Sequence, residues 1–393
     1  MSGAQYSLTE DQQALRQATR AFAHGVLFAA AAETEKTQAE FPSEMLLAMA
    51  RQGLLGLDVP PEYGGQGFDT LTCAVILEEI AACWFSATIY AMNLATGPLL
   101  AAGSSEQKRH YLPEICAGRM VPAFGLTEPA GGSDAASIKT AACRDGSDYL
   151  LRGHKIFITN AHRAGVLIVF AKTDPDAPRG QGVSIFLVER AAPGLVIGQR
   201  FNTLGHAANP IWEVVFDDCR IPKEALLGRE GEGFSYLQRD FAKIRATYGS
   251  RCVGVAQGAL DYALQYAVER RQFGEPVASF QGIRFKVAEL MAKIEAARQL
   301  SYRAAVVAEA MSPDAPVAAS MAKLFASQVA VETTGEAIQL MGGHGLVTEH
   351  PLERYYREAK LFQIGDGTSE MLRLLISRHG NRMAGERQSA QIG

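Results

Sequence analysis

No two cysteines of this chain fall in a C-x-x-C pair; the six (Cys73, Cys83, Cys116, Cys143, Cys219, Cys252) are scattered. That spacing excludes an ordinary zinc knuckle and fits reduced thiols rather than a disulfide frame. Positive charge is not in surplus: Lys and Arg total 38 against 42 Asp and Glu, a net of −4. No broad attraction to nucleic acid or an anionic bilayer is expected from that balance. No apolar run approaches the ~18 residues of a membrane span, so no membrane insertion is expected. The opening "MSGAQYSLTEDQQALRQATRAFA" has no basic segment leading into an apolar core. No signal peptide is expected, and the cytoplasm is the expected compartment. The common nucleotide and hydrolase signatures are missing too: no G-x-G-x-x-G after a strand, no P-loop, no H-E-x-x-H, no G-x-S-x-G.

What is present is a chain of 393 residues, 48% hydrophobic and 20% charged, long enough for two or three domains. Residues 1–121 read as helices: Leu15, Ala18 and Phe22 recur at helical spacing, and "TLTCAVILEEIAACW" is apolar apart from Glu78 and Glu79, which predicts a buried helix. From 122 to 229 short runs rich in Val, Ile and Phe ("HKIFITN", "GVLIVFAKT", "GVSIFLVER", "IWEVVFDDCRIP") alternate with turn signals and predict a β domain. From 230 to 393 helices return. Ile283, Val287, Leu290, Met291, Ile294, Ala297 and Leu300 draw one apolar stripe, and a second helix over about 318–340 is rich in small residues.

Three stretches carry candidate chemistry. "FGLTEPAGGSD" offers hydroxyls and glycine N–H groups where a ligand can approach closely, with a plain turn as the equal alternative. "ERRQFGEPVASFQ" carries an arginine fork; read blandly it is a helix end with Gly274 just past the last turn and Pro276 beyond. "QLMGGHGLVTEHPLERYYREAKLFQIGDGTSEMLR" holds a Gly-rich loop with His344, more often structural than basic, and Asp366 between Gly365 and Gly367. A lone carboxylate there is a turn residue or a catalytic base.

In this order the three stretches resemble the acyl-CoA dehydrogenase family of flavoproteins, over essentially the whole chain. The resemblance implies an α+β multidomain fold: an N-terminal α-helical domain, a middle β-barrel-like domain and a C-terminal four-helix-bundle domain. It implies FAD as cofactor, an acyl-CoA substrate, electron-transferring flavoprotein as acceptor, and a homotetramer. Phe124, Leu126, Thr127, Gly132 and Ser133 match the loop against the flavin and the pantetheine arm, with Ser133 reaching both FAD and CoA. Phe157 and Thr159 match an aromatic-x-Thr contact, Phe standing where Trp is common. Arg270, Gln272, Phe273 and Gln281 match a segment that reaches a neighbouring subunit's FAD, joined by Gln339 and Gly343. Thr368 and Glu370 match contacts on the pyrophosphate and adenosine side. Phe241 and Arg245 match the helix that meets the acyl-CoA, Ala242 replacing an acidic residue of some members.

The family's reaction removes an α-proton from the thioester and passes the β-hydrogen to the flavin as hydride. The base is usually Glu after Tyr; here Asp366 and Gly365 stand in those places, and the alternative position before the helix arginine is Ile244. Asp is one methylene shorter, roughly 1.5 Å, and a Gly in place of Tyr vacates space. The pocket bounded by Gly365 and Gly367, with Thr88, Tyr90 and Met92 as its far wall, is therefore expected to take a branched or alicyclic acyl group of the cyclohexanecarboxyl kind. Two other readings stand beside this one: a nitroalkane oxidase-like enzyme, since those relatives use Asp as base, and a non-catalytic flavoprotein scaffold.

Overall fold

The computed structural model describes residues 8–392. Helices come first: α1 (Glu10–Phe22), α2 (Phe28–Thr37), α3 (Ser43–Arg51), α4 (Thr70–Cys83), α5 (Phe85–Ala91), α6 (Thr96–Ala102) and α7 (Ser105–Cys116). Strands follow: β1 (Pro122–Gly125), β2 (Ala141–Asp145), β3 (Asp148–Thr159), β4 (Val166–Lys172), β5 (Val183–Glu189), β6 (Leu195–Phe201), β7 (Ile211–Ile221) and β8 (Leu226–Leu227). Helices then return as α8 (Gly233–Glu269), α9 (Gln281–Glu309), α10 (Ala315–Met341), α11 (Leu352–Leu361) and α12 (Ser369–Ile392), with the short β9 (Arg271–Gln272) and β10 (Glu275–Pro276) between α8 and α9. The order of helical, β and helical segments is the one expected from the sequence.

By contact density the chain forms two compact bodies. One comprises the N-terminal helices to Thr37, Asp69–Thr88 and all residues from Ala242 onward; the other comprises Gln38–Phe68 and Ile89–Phe241. The first 121 residues thus contribute helices to both.

In the helical body, α1 begins with a capping box: Thr9 accepts from the Gln12 N–H while the Gln12 side chain returns to the Thr9 N–H. Helix α4 starts on the Asp69 carboxylate, which accepts from the Thr72 N–H at 2.7 Å. Nearly every residue of α4 is buried. Its two acids are held by basic partners from other helices. Glu78 accepts from Arg298 Nε at 2.8 Å and the Tyr302 hydroxyl at 2.9 Å; Glu79 accepts from Arg16 Nε at 2.6 Å and Arg20 Nε at 2.8 Å. On α8, Gly254 and Gly258 face α4 so closely that a Cβ on either would collide with the carbonyl oxygens of Glu78 and Ala82. The core among α8, α9 and α10 is built from Val253, Ala256, Leu260, Leu290, Ile294, Val329 and Leu340. The alanines of α10 let its neighbours approach.

In the β body the sheet order is β6-β7-β3-β2-β4-β5-β8, with β1 pairing parallel to β4. Strands β4 and β5 are almost wholly buried, as strands covered on both faces must be. Their residues alternate between two cores. Val166, Ile168, Phe170, Ile185 and Leu187 pack with Leu99, Tyr111 and Leu112 of α6 and α7; Leu167, Val169, Phe186 and Val188 pack on the other face with Tyr149, Leu151 and Phe216. Each such side chain contributes roughly 1.5–3 kcal/mol when fully buried.

Candidate active site

The loop between α11 and α12 is shaped by two successive left-handed residues, Asp366 at φ +53° and Gly367 at φ +102°. Asp tolerates that region better than most side chains because its short polar group bonds locally. The loop is closed by the Gly365 N–H donating to Leu361 O at 2.9 Å and the Ser369 N–H donating to Gln363 O at 3.0 Å. Lys323, from α10, donates to Gly365 O at 2.8 Å and Gly367 O at 2.6 Å. Arg245, from α8, directs Nε toward Asp366 O at 3.5 Å.

The Asp366 carboxyl is closely walled by protein, and burial raises its pKa; Lys323, Arg251 and Arg245 pull the other way without cancelling the effect. Among the described residues no donor hydrogen-bonds its side chain. Tyr248, one turn along α8 from Arg245, is buried against Phe85 and Phe362 at ring-centroid distances of 6.3 and 5.7 Å. Burial lifts its phenol well above the usual value, and the Asp366 charge adds to that. A Cβ added to Gly365 would lie 3.3 Å from the Tyr248 hydroxyl. The space expected from Gly365 is therefore largely filled by a phenol from α8, which corrects the argument that this glycine opens the pocket.

In the β body, "FGLTEPAGGSD" is not a plain surface turn. Glu128 is buried and accepts from Lys139 N at 2.6 Å, Thr140 N at 2.9 Å and Lys155 Nζ at 2.7 Å, while Lys155 also donates to Leu126 O at 3.0 Å. These bonds hold the Glu128 pKa below the usual carboxylate value against the cost of burial, and burial brings the Lys155 ammonium down to about 8. Neither residue stands out in the sequence; the one signal is Lys155, a charge within the strand pattern "HKIFITN". Phe124 packs tilted against Phe170 at 5.3 Å between ring centroids, Leu126 is buried, and Gly132 and Ser133 are exposed.

The Ile156 N–H donates to Thr127 O at 3.0 Å and ties this loop to β3. There the pairing with β7 slips between Lys155 and Ile158, and Phe157 takes φ +58°. The bulge turns the Phe157 ring outward, 52% exposed and 5.1 Å from Phe201. Among the described residues neither the Thr127 nor the Thr159 hydroxyl has a protein partner. An exposed aromatic face beside two uncommitted hydroxyls fits a flat heteroaromatic ring with polar edges, as an isoalloxazine is.

The segment "ERRQFGEPVASFQ" differs from the bland reading. Helix α8 ends at Glu269, and the next residues form the β9–β10 hairpin, Gln272 opposite Glu275. Phe273 at φ +51° and Gly274 at φ +86° make its two-residue turn. Gly274 is thus a hairpin glycine rather than a helix terminator, and Phe273 stands 94% exposed at the tip. Arg270, Gln272, Gln281, Gln339 and Gly343 are exposed as well.

The remaining candidates are placed as follows. The Thr88 hydroxyl donates back to Phe85 O at 2.7 Å. Tyr90 packs tilted against Phe41 at 4.5 Å between ring centroids, its hydroxyl accepting from Asn160 at 2.9 Å; Met92 is buried. Phe241 is half-buried in the core shared with Phe124. Thr368 accepts from the Met371 N–H at 3.3 Å at the start of α12, and exposed Glu370 pairs with Arg373 at 3.0 Å. His344 is exposed and packs 5.5 Å from the Tyr266 ring, in a turn separate from Asp366.

The helical body thus carries a carboxylate beside three cations, and the β body an outward-facing aromatic ring. Three family models match the chain in succession: acyl-CoA dehydrogenase N-terminal domain over residues 9–119, middle domain over 123–219 and C-terminal domain over 231–380. An acyl-CoA dehydrogenase of Bacillus subtilis is 40% identical over 376 residues, covering 95% of this chain and 98% of that protein. The rat short-chain specific mitochondrial acyl-CoA dehydrogenase is 41% identical over 375 residues, 95% of this chain and 90% of that protein. The structure of butyryl-CoA dehydrogenase from Megasphaera elsdenii superposes with a TM-score of 0.90 at 33% identity, over 96% of this chain and 99% of that one. The chain belongs to the acyl-CoA dehydrogenase family, whose members are FAD-dependent oxidoreductases acting on acyl-CoA thioesters.

Proposed function

We propose that this enzyme removes the α-proton of a short, broad acyl-CoA with Asp366 and forms the 2-enoyl-CoA. The observation that carries the reading is the state of Asp366: walled in, raised in pKa, flanked by Lys323, Arg251 and Arg245, and bonded through its side chain to no donor among the described residues. A carboxylate kept near charge but uncommitted is suited to taking a proton from carbon. Its own N–H is the donor expected at the thioester oxygen, where enolate charge gathers. FAD, when held here, would supply the acceptor for the β-hydrogen as hydride. Thr127, Phe157 and Thr159, with Phe124, Leu126, Gly132 and Ser133, are the residues proposed to hold the ring system and the pantetheine arm.

The acyl group follows from two opposed features. The shorter Asp366 side chain leaves room beside the α-carbon, while Tyr248 limits depth at Gly365. Together they favour a compact branched or alicyclic acyl group over a long straight chain. Anaerobic titration tests this: cyclohexanecarboxyl-CoA and butyryl-CoA should bleach the flavin faster than octanoyl-CoA, and a strong preference for octanoyl-CoA overturns it.

Phe273, Leu346, Ile364 and Leu374 are all strongly exposed on the helical body, and this supports a homotetramer in which Arg270, Gln272, Phe273, Gln281, Gln339 and Gly343 serve a neighbour's FAD. Residues 1–121, 122–229 and 230–393 are proposed as the three domains, and electron-transferring flavoprotein as the acceptor. No helix among the described residues is long and apolar enough to cross a membrane. Nitroalkane oxidation is the second reading, favoured only by the identity of Asp366; oxygen consumption with nitroethane would support it.

A further inference from the structure

We infer that Lys323 is the positioning residue of the α-proton base, acting through the two carbonyls that flank it; this rests on the reading of Asp366 as that base. Lys323 lies on α10 among alanines and serines and is wholly buried. A buried ammonium is costly, and an apolar side chain of similar volume would usually serve packing at least as well. Here its bonds go to Gly365 O and Gly367 O, at 2.8 and 2.6 Å, one on each side of Asp366. Arg245 takes the carbonyl between them at 3.5 Å. Three successive carbonyls are therefore directed at cations from α8 and α10.

Peptide planarity turns this into a functional statement. The carbonyl of one residue and the N–H of the next share a plane and point in opposite directions. Fixing Gly365 O therefore aims the Asp366 N–H, and fixing Gly367 O aims the Thr368 N–H. Among the described residues the N–H groups of Asp366, Gly367 and Thr368 have no acceptor. Lys323 thus sets the backbone that carries the carboxylate and also the N–H meant for the thioester oxygen. It maintains the left-handed conformation at Asp366 and Gly367 and supplies positive charge against the burial of the base. The other groups facing this loop and Lys323 are Arg245, Tyr248, Arg251 and Cys252 of α8, with Glu370 of α12 contributing at longer range.

The test is Lys323→Met in the full-length FAD-loaded enzyme, with butyryl-CoA and cyclohexanecarboxyl-CoA as probes. Flavin reduction should fall about 10²-fold or more. The acid limb of its pH profile should move up by about one unit, while KM changes less than about threefold. On the cofactor-free protein, hydrogen exchange at the Gly365 and Ser369 amides should quicken about tenfold or more. An unmoved acid limb with unchanged exchange overturns the inference. Asp366→Asn runs beside it: parent-like reduction in that variant overturns the base reading itself, a separate failure. If Lys323→Met does not fold, Gly367→Ala replaces it. That variant keeps the lysine but strains a φ of +102° and brings a Cβ to 3.3 Å from Arg245 Nη2. It should slow reduction without moving the acid limb, and a parent-like rate overturns the inference.

Discussion

The helical body contains two kinds of enclosed carboxylate, one wholly buried and one half-buried. Glu78 and Glu79 of α4 spend their oxygens on Arg298, Tyr302, Arg16 and Arg20 at 2.6–2.9 Å. Asp366 faces as many cations, yet its side chain is bonded to none of them among the described residues, and Lys323 is occupied by main-chain carbonyls instead. On the proposed reading of Asp366, the difference separates a charge that holds helices together from a charge kept for a reaction. A structural carboxylate is satisfied within the protein, whereas a base must keep its lone pairs until a substrate arrives.

Substitutions that remove one charge at a time can break this comparison. The largest effect is expected for Asp366→Asn, which should slow flavin reduction by about 10⁴-fold, the upper range for a positioned base. The same change should stabilise the fold at neutral pH. Burial raises the Asp366 pKa above its unfolded value, so the native state holds the proton where the unfolded chain has lost it. Stability therefore falls as pH rises through that window, and Asn removes the cost of the ionised form. Denaturant unfolding at several pH values measures it.

Glu78→Ala should behave inversely. Removing the acceptor that Arg298 and Tyr302 share should cost about 1–3 kcal/mol of stability, since Arg298 keeps Glu295 and Gln257, and flavin reduction per bound FAD should change little. Loss of catalysis without loss of stability would abolish the distinction drawn between the two sites.

Glu358 sharpens it further. It is buried, among the described residues reaches only Ser86 at 3.5 Å and Arg354 at 3.8 Å, and burial pushes its carboxyl up to about 7. Poor pairing alone does not make a base, so Glu358→Gln should leave reduction rates within about twofold. The raised pKa means that the Glu358 contribution to stability falls as pH rises from the ordinary carboxylate range to about 7. The Gln variant should therefore gain on the parent above that pH, by about 1 kcal/mol in denaturant unfolding. The smallest effect on the isolated fold is expected for Phe273→Ser, which should leave unfolding within about 0.5 kcal/mol while weakening assembly in sedimentation.

Much of the fold was legible because its signals are local. Period-3.6 stripes marked α9, the small-residue run marked α10, and the Val- and Ile-rich runs marked β3, β4, β5 and β7. Less legible were features that depend on a partner distant in sequence. Lys323 was a single charge in "SMAKLFASQVA", and its role requires knowing that the 365–367 loop lies against it. Glu128 was hidden inside a turn-like "TEPAGG" because its donors come from Lys139, Thr140 and Lys155. Tyr248 was missed for the same reason, three residues beyond Arg245 on a helix read for Phe241, Ala242, Ile244 and Arg245. Gly274 was read as a helix terminator because Gly followed by Pro fits that role as well as a hairpin. A phenylalanine in the left-handed region, which makes the turn, is not a local preference.

The hairpin at Phe273 also bears on how this enzyme is handled at the bench. A side chain almost fully bare on its own subunit, if it completes a cofactor site next door as proposed, would make activity a function of how concentrated the sample is. Preparations diluted far enough to dissociate would lose their yellow colour before they unfold, and mixing two differently damaged versions of the chain could restore turnover that neither has alone.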